Sequence, residues 1–109
     1  MPADKRLKKM ILFSHPLVSS KTPKISDFSA SNSSQNDEFV LVKNKLQAVI
    51  SNARGVKFIV CNNLSLAKEL QSVADDYLFD SKIALIVKSD EELSLAIDAR
   101  IDAVICENF

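Results

Sequence analysis

The feature that most constrains the fold is the alternation of short apolar runs with helical patterns. The runs "KMILFS" (9–14), "VKFIVC" (56–61), "KIALIVK" (82–88) and "DAVICE" (102–107) are rich in Ile, Val, Leu and Phe and barely alternate with polar residues. A strand with one wet face alternates; these do not, so they read as strands covered on both faces, as in a parallel sheet. Between them, Phe39, Val42, Leu46, Val49, Ile50 and Ala53 recur at helical spacing. That spacing predicts a first helix capped by Asn36 or Asp37. Gly55, the only glycine in the chain, stands just past its end, where a left-handed residue closes a helix. Leu66, Leu70, Val73, Ala74 and Tyr77 share one face of a second helix. A third opens at Ser89–Asp90–Glu91–Glu92, where Ser89 accepts from the amide three residues on and Glu92 reaches back to Ser89 as a capping box. Leu93, Ala96 and Ile97 cover its buried side.

Strands alternating with helices imply parallel pairing through right-handed crossovers. The expected fold class is α/β, a three-layer α/β/α arrangement with a mainly parallel four-stranded sheet. A piece of a βα barrel is the other solution, but four strands do not close a barrel, so the open sheet is the expectation. All 109 residues are expected to form one domain. Residues 15–36 differ in kind, being dominated by Ser, Asn, Pro and Lys, with "SASNSSQN" (29–36) nearly low-complexity. They are expected to form a flexible loop, or in a second reading a lid over the strand tips.

Composition excludes several classes. No apolar run approaches the roughly 18–20 residues of a membrane span. The basic start "MPADKRLKKMILFSHP" has too short an apolar core for a signal peptide, and a cytoplasmic protein is expected. With one glycine, neither a dinucleotide fingerprint nor a phosphate-binding P-loop is present. One His and two distant Cys do not make a Cys/His zinc site by spacing, and no cofactor or metal is expected. "KRLKK" (5–9) lacks interleaved aromatic residues, which argues against nucleic-acid binding. Net charge is zero but uneven: residues 1–74 hold 11 basic and 5 acidic side chains, residues 75–109 hold 3 and 9. Such a dipole favours head-to-tail or subunit association, unless both ends are solvated faces that the fold mixes. A small parallel sheet leaves edges that need covering, and a homo-oligomer or a protein partner is expected.

In open α/β sheets ligands bind beyond the carboxyl ends of the strands. Here those ends are Ser14–His15, Cys61–Asn62–Asn63, Lys88–Ser89–Asp90 and Cys106–Glu107–Asn108. Cys61 and His15 are the candidate catalytic residues. A thiol at a helix start feels the positive end of the helix dipole, and a neighbouring imidazole activates sulfur as a nucleophile. The competing reading of Cys61 is a small core residue, and of His15 an exposed loop residue. Asn62, Asn63 and Ser89 are candidate ligand-binding residues, or helix caps.

"NKLQAVISNARGVKFIVCNNLSL" resembles the segment of DsrE/DsrF-like sulfur-relay proteins in which a helix ends in Gly-Val, a strand follows, and Cys and Asn close it. "KMILFSHP" is similar to the family's earlier strand, and "SKIALIVKSDEELSLAIDARIDAVI" to its final strand–helix–strand, with Arg100 where a glycine is usual. The resemblance implies an oligomeric α/β protein with Cys61 as a persulfide carrier and His15 beside it. The last segment also resembles generic βα-barrel repeats. The function expected is a non-enzymatic binding or self-associating interaction module, with a sulfur carrier working through Cys61 as the alternative.

Overall fold

The structure, a computed structural model, describes residues 9–18, 22–28 and 38–109. In chain order the elements are β1 (Ile11–Phe13), β2 (Ile25–Asp27), β3 (Phe39–Leu41), α1 (Lys45–Ala53), β4 (Phe58–Cys61), α2 (Leu64–Asp76), β5 (Lys82–Val87), α3 (Asp90–Asp98) and β6 (Ala103–Cys106). All the pairings are parallel, in the order β1-β6-β5-β4-β3-β2. The fold is therefore α/β with a parallel sheet, and the four expected strands are β1, β4, β5 and β6.

The sheet has six strands rather than four. β3 was hidden because Phe39 and Val42 fit the helical spacing of the residues after them. Three residues are also too few to display a strand period. β2 lies within the stretch expected to be a flexible loop, and its Ile-Ser-Asp sequence carries little apolar signal. Positions 19–21 and 29–36 of that stretch, and the caps Asn36 and Asp37, lie outside the described residues.

Each helix is bounded by local chemistry. α1 starts at Lys45 because Asn44, in extended backbone, accepts from the Gln47 amide at 2.9 Å while Gln47 Oε1 accepts from the Lys43 amide at 2.9 Å. Asn63 caps α2 by accepting from the Leu66 amide at 2.7 Å. Ser89 caps α3 by accepting from the Glu92 amide at 3.2 Å. Glu92 reaches back to the Lys88 amide, 2.8 Å away, one residue earlier than the expected Ser89. All three helices end alike. The residue after the C-cap turns left-handed (Gly55 φ 86, Leu78 φ 52, Arg100 φ 59). The next amide then returns to the last turn: Val56 to Ser51, Phe79 to Ala74 and Ile101 to Ala96. This is the Schellman closure, which satisfies orphan carbonyls and seats an apolar residue on the helix end.

From β3 to β6 every crossover moves one strand in the same direction. With right-handed connections this puts the helices on one face. Ala48 of α1, Ala67, Leu70 and Ala74 of α2, and Ala96 of α3 accordingly join one buried cluster with Ile59, Cys61, Ile83, Leu85 and Val104 of the sheet.

The other face is turned on itself. It carries Phe39, Phe58, Val60, Ala84, Ala103 and Ile105, with Phe13 packed against them. Phe13 of β1 meets Phe39 of β3 and Phe58 of β4 edge-on, with ring centroids 5.2 Å apart in both cases. By the strand order, β1 lies four steps from β3 and three from β4. At ~4.8 Å per step, a flat sheet would hold those strands roughly 19 and 14 Å apart, beyond the reach of two phenylalanine side chains. The sheet is therefore rolled. It is also staggered. The registers set Ile11 level with Ala103, Ala84, Val60 and Leu41, so Phe13 lies two residues beyond that level, yet its ring packs on Phe39, two residues before it. Tilt and stagger of this kind accompany barrel-like curvature. Ala84 and Ala103 leave the interior volume that the three phenylalanines fill. A helix layer over this second face, as a three-layer sandwich requires, is not seen among the described residues; the described helices cover the outside of a rolled sheet.

Candidate functional site

The strand ends expected to carry a site hold their residues in separate settings. Cys61 is fully buried in the helix-side cluster. Its thiol faces the Asn63 carbonyl at 4.0 Å. Burial pushes its pKa up to about 12, against a smaller lowering from that carbonyl contact. A thiol held this far from ionisation is a weak nucleophile at neutral pH. Cys106 is also buried, and its thiol is raised by burial and then by the negative charge of Asp90. Neither is in a disulfide.

His15 follows Ser14, whose φ of 66 turns the chain sharply at the end of β1. Its Nδ1 accepts from the Leu17 amide at 3.0 Å and its ring lies 5.3 Å from that of Phe109. The structure does not bring His15 and Cys61 together. β1 and β4 are separated by β6 and β5, the thiol lies in the helix-side cluster, and the imidazole rests against the C-terminal residue.

Asn63 and Ser89 serve as N-caps, so their side-chain oxygens are already engaged. Asn62 is exposed beside them. Between the starts of α2 and α3 runs a groove of about 270 Å³, lined by Asn62, Asn63, Leu64, Ile86, Glu92 and Leu95 among others. Its one charged lining side chain is acidic and is already spent on the Lys88 amide. Nothing in the groove converges on an anion. Among the described residues no three His, Cys, Asp or Glu side chains are grouped to hold a metal ion. No helix there is long and apolar enough to cross a membrane.

Two features escaped the sequence reading. The first is a polar network at the other end of the sheet. Asp102 Oδ2 accepts from the Ile83 amide at 3.0 Å and from Gln71 Nε2 at 3.1 Å, while Gln71 Oε1 accepts from the Asp102 amide at 3.0 Å. Gln71, nearly fully buried, also donates to Asp75 at 3.1 Å. This network ties α2 to β5 and β6. The available signals were a glutamine among the apolar positions of α2 and an aspartate opening an apolar run. They lie 31 residues apart, so their pairing was not readable.

The second is the outer face of α1. Leu46, Val49 and Ile50 recur at helical spacing but point to solvent, at 66%, 45% and 39% exposure. The side against the sheet is formed by Ala48 and Ser51, both fully buried. The stripe that predicted a core-facing helix is in fact the outward one. A helix close to the sheet surface has room inside for small side chains only, and the large apolar residues sit opposite. α1 contains one base and no acid, whereas α3, Asp90–Asp98, contains four acids and no base. Four of the nine acids of residues 75–109 thus lie on α3, which α2 separates from α1 in the order of crossovers.

No protein-family model and no curated protein matches the chain.

Proposed function

We propose that this chain is a non-enzymatic interaction module that self-associates through the outer face of α1. One observation carries the reading: Leu46, Val49 and Ile50 face solvent on the side of α1 opposite Ala48 and Ser51. Single exposed apolar residues are common, but three on one stripe of a short helix make a patch of roughly 300 Å², the size at which such patches tend to be functional. At about 25 cal/mol per Å², covering it is worth about 7 kcal/mol. Association costs about 4–15 kcal/mol in lost freedom, so the patch is the centre of a weak interface that other contacts must complete.

Sedimentation velocity from about 10 µM to 1 mM tests this, a range set by the affinity scale for weak complexes. The wild type is expected to exceed its monomer mass of 12.1 kDa as concentration rises. The variant Leu46→Gln/Val49→Gln/Ile50→Gln keeps helix-forming residues at exposed positions and is expected to remain monomeric with unchanged circular dichroism. A wild type that stays monomeric throughout would sink the proposal. The sulfur-carrier alternative requires Cys61 to leave its buried cluster, and native-state thiol labelling, described below, tests it.

A further inference from the structure

We infer that the strand ends on the inner face of the rolled sheet form a site for a phosphoryl group, held by Lys43, Asn62 and Lys88. These three residues occupy the same place in successive strand–helix units. Each stands directly before a helix N-cap (Asn44, Asn63 or Ser89) whose backbone is extended in every case. The amides of Lys43 and Lys88 are fixed alike, donating to Gln47 Oε1 at 2.9 Å and to Glu92 Oε1 at 2.8 Å. Each of the three also follows by two residues the last inner-cluster side chain of its strand: Leu41, Val60 and Ile86. The residues between, Val42, Cys61 and Val87, are buried on the helix side. Side chains alternate between faces along a strand, so the next position is inward. The inner lining, apolar below, thus ends in two ammonium groups and a carboxamide, all on exposed residues.

The registers bring the three within reach of one ligand. Leu41 pairs with Val60 and Val60 with Ala84, so Lys43 and Asn62 are level and Lys88 lies two residues higher. At ~4.8 Å per strand step and ~3.3 Å per residue, the two lysine Cα atoms are roughly 12 Å apart. Flexible lysine stems close that gap from both sides. Among the described residues neither ammonium is in an ion pair, unlike those of Lys45 and Lys57. A phosphoryl group presents three strong acceptor oxygens, one for each of the three side chains, whereas a carboxylate has two. Glu107, level with Lys88 on the strand beside it, and Asp27 at the end of β2 share the inner face and oppose the ligand's charge. The groove between the starts of α2 and α3 shares Asn62 but neither lysine.

Titration with inorganic phosphate at pH 7 and constant ionic strength, followed by amide nitrogen–proton correlation spectra, tests the site. Saturating shifts are expected at residues 43–45, 62–64 and 88–90, with a Kd of about 1–10 mM. Lys43→Met/Lys88→Met keeps the apolar stems, and an unchanged spectrum elsewhere verifies its fold; it is expected to weaken phosphate binding by about tenfold. Glu107→Gln removes an opposing charge and is expected to tighten binding about threefold. Acetate is expected to bind about tenfold more weakly than phosphate. Shifts that rise without saturating, that saturate elsewhere, or that survive the double substitution would overturn the inference. Equal binding of acetate would overturn the assignment to a phosphoryl group. None of these outcomes bears on self-association through α1, which the two inner lysines do not enter.

Discussion

A double-mutant cycle between Phe13 and Phe39 tests the rolled sheet. The two residues belong to strands four steps apart in the sheet order, yet their rings meet edge-on at 5.2 Å. Phe13→Leu and Phe39→Leu keep an apolar side chain of similar volume, so each is expected to cost about 1–2 kcal/mol and leave a folded domain. Edge-on aromatic pairs contribute about 0.5–1.5 kcal/mol beyond their buried area. The double variant should therefore lose less than the sum of the singles by that amount. Urea unfolding followed by far-ultraviolet circular dichroism resolves it. With a slope near 1 kcal/mol per molar for a chain of this size, the coupling appears as roughly 0.5–1.5 M in midpoint. In a flat sheet the same sites lie roughly 19 Å apart and their effects add to within about 0.5 kcal/mol. A coupling inside that additive range would refute the rolled geometry. Phe13→Leu with Ile83→Val is the control, because Ile83 lies in the cluster on the opposite face and additivity is expected there.

The remaining predictions use single sites. Leu78 and Arg100 occupy left-handed backbone without being glycine, so Leu78→Gly and Arg100→Gly are each expected to raise stability by about 1 kcal/mol in the same urea assay; a loss at both would contradict the closure geometry. Gly55→Ala should destabilise by a similar amount although nothing lies within 4 Å of the added carbon, because the cost is conformational. The Cys61 thiol ionises near its ordinary value of 9.0 when unfolded and near 12 when folded, so its contribution is intact below pH 9 and is lost as pH rises toward 12. Stability should fall by up to about 1.4 kcal/mol per pH unit across that window, and Cys61→Ala should flatten the fall. Iodoacetamide should label Cys61 at neutral pH only at the rate of unfolding, and fast labelling of the native protein would revive the sulfur-carrier reading. Asp102→Ala should cost about 2–4 kcal/mol by orphaning the Ile83 amide and the buried Gln71 carboxamide, with Asp102→Asn milder; a change under about 0.5 kcal/mol would show that the network contributes little.

What was legible in the sequence was what short-range chemistry decides. β4, β5 and β6 announced themselves because both of their faces are covered, which makes each run continuously apolar. Ser89 and Gly55 marked helix ends through hydrogen bonds and backbone freedom that reach only a few residues. Arg100, just past the C-cap of α3, adopts a glycine-like φ of 59. The closure of the helix demands that backbone there although the residue is not a glycine. Strand order lay beyond reach because parallel neighbours are joined through crossovers that leave no sequence mark of who lies beside whom. That is why the candidate pair His15 and Cys61 did not form.

α1 shows most clearly how periodicity and burial come apart. Leu46, Val49, Ile50 and Ala53 have the spacing of a core-facing stripe, and spacing alone assigns them to the interior. The register of the helix on the sheet is set elsewhere. Its start is placed by Asn44 and Gln47, and its end is tied to the next strand through Val56 and through Asn52, which accepts from the Ser81 amide at 3.0 Å. These anchors turn Ala48 and Ser51 inward. Ser51 Oγ is buried without a hydrogen-bond partner among the described residues, so this orientation carries a cost that an isolated domain does not recover. Locally, the sequence would be better satisfied with the helix turned over. A local choice that disagrees with the global fold is expected where function is drawn from the surface. The outward stripe of Leu46, Val49 and Ile50 is the observation from which self-association through α1 is proposed.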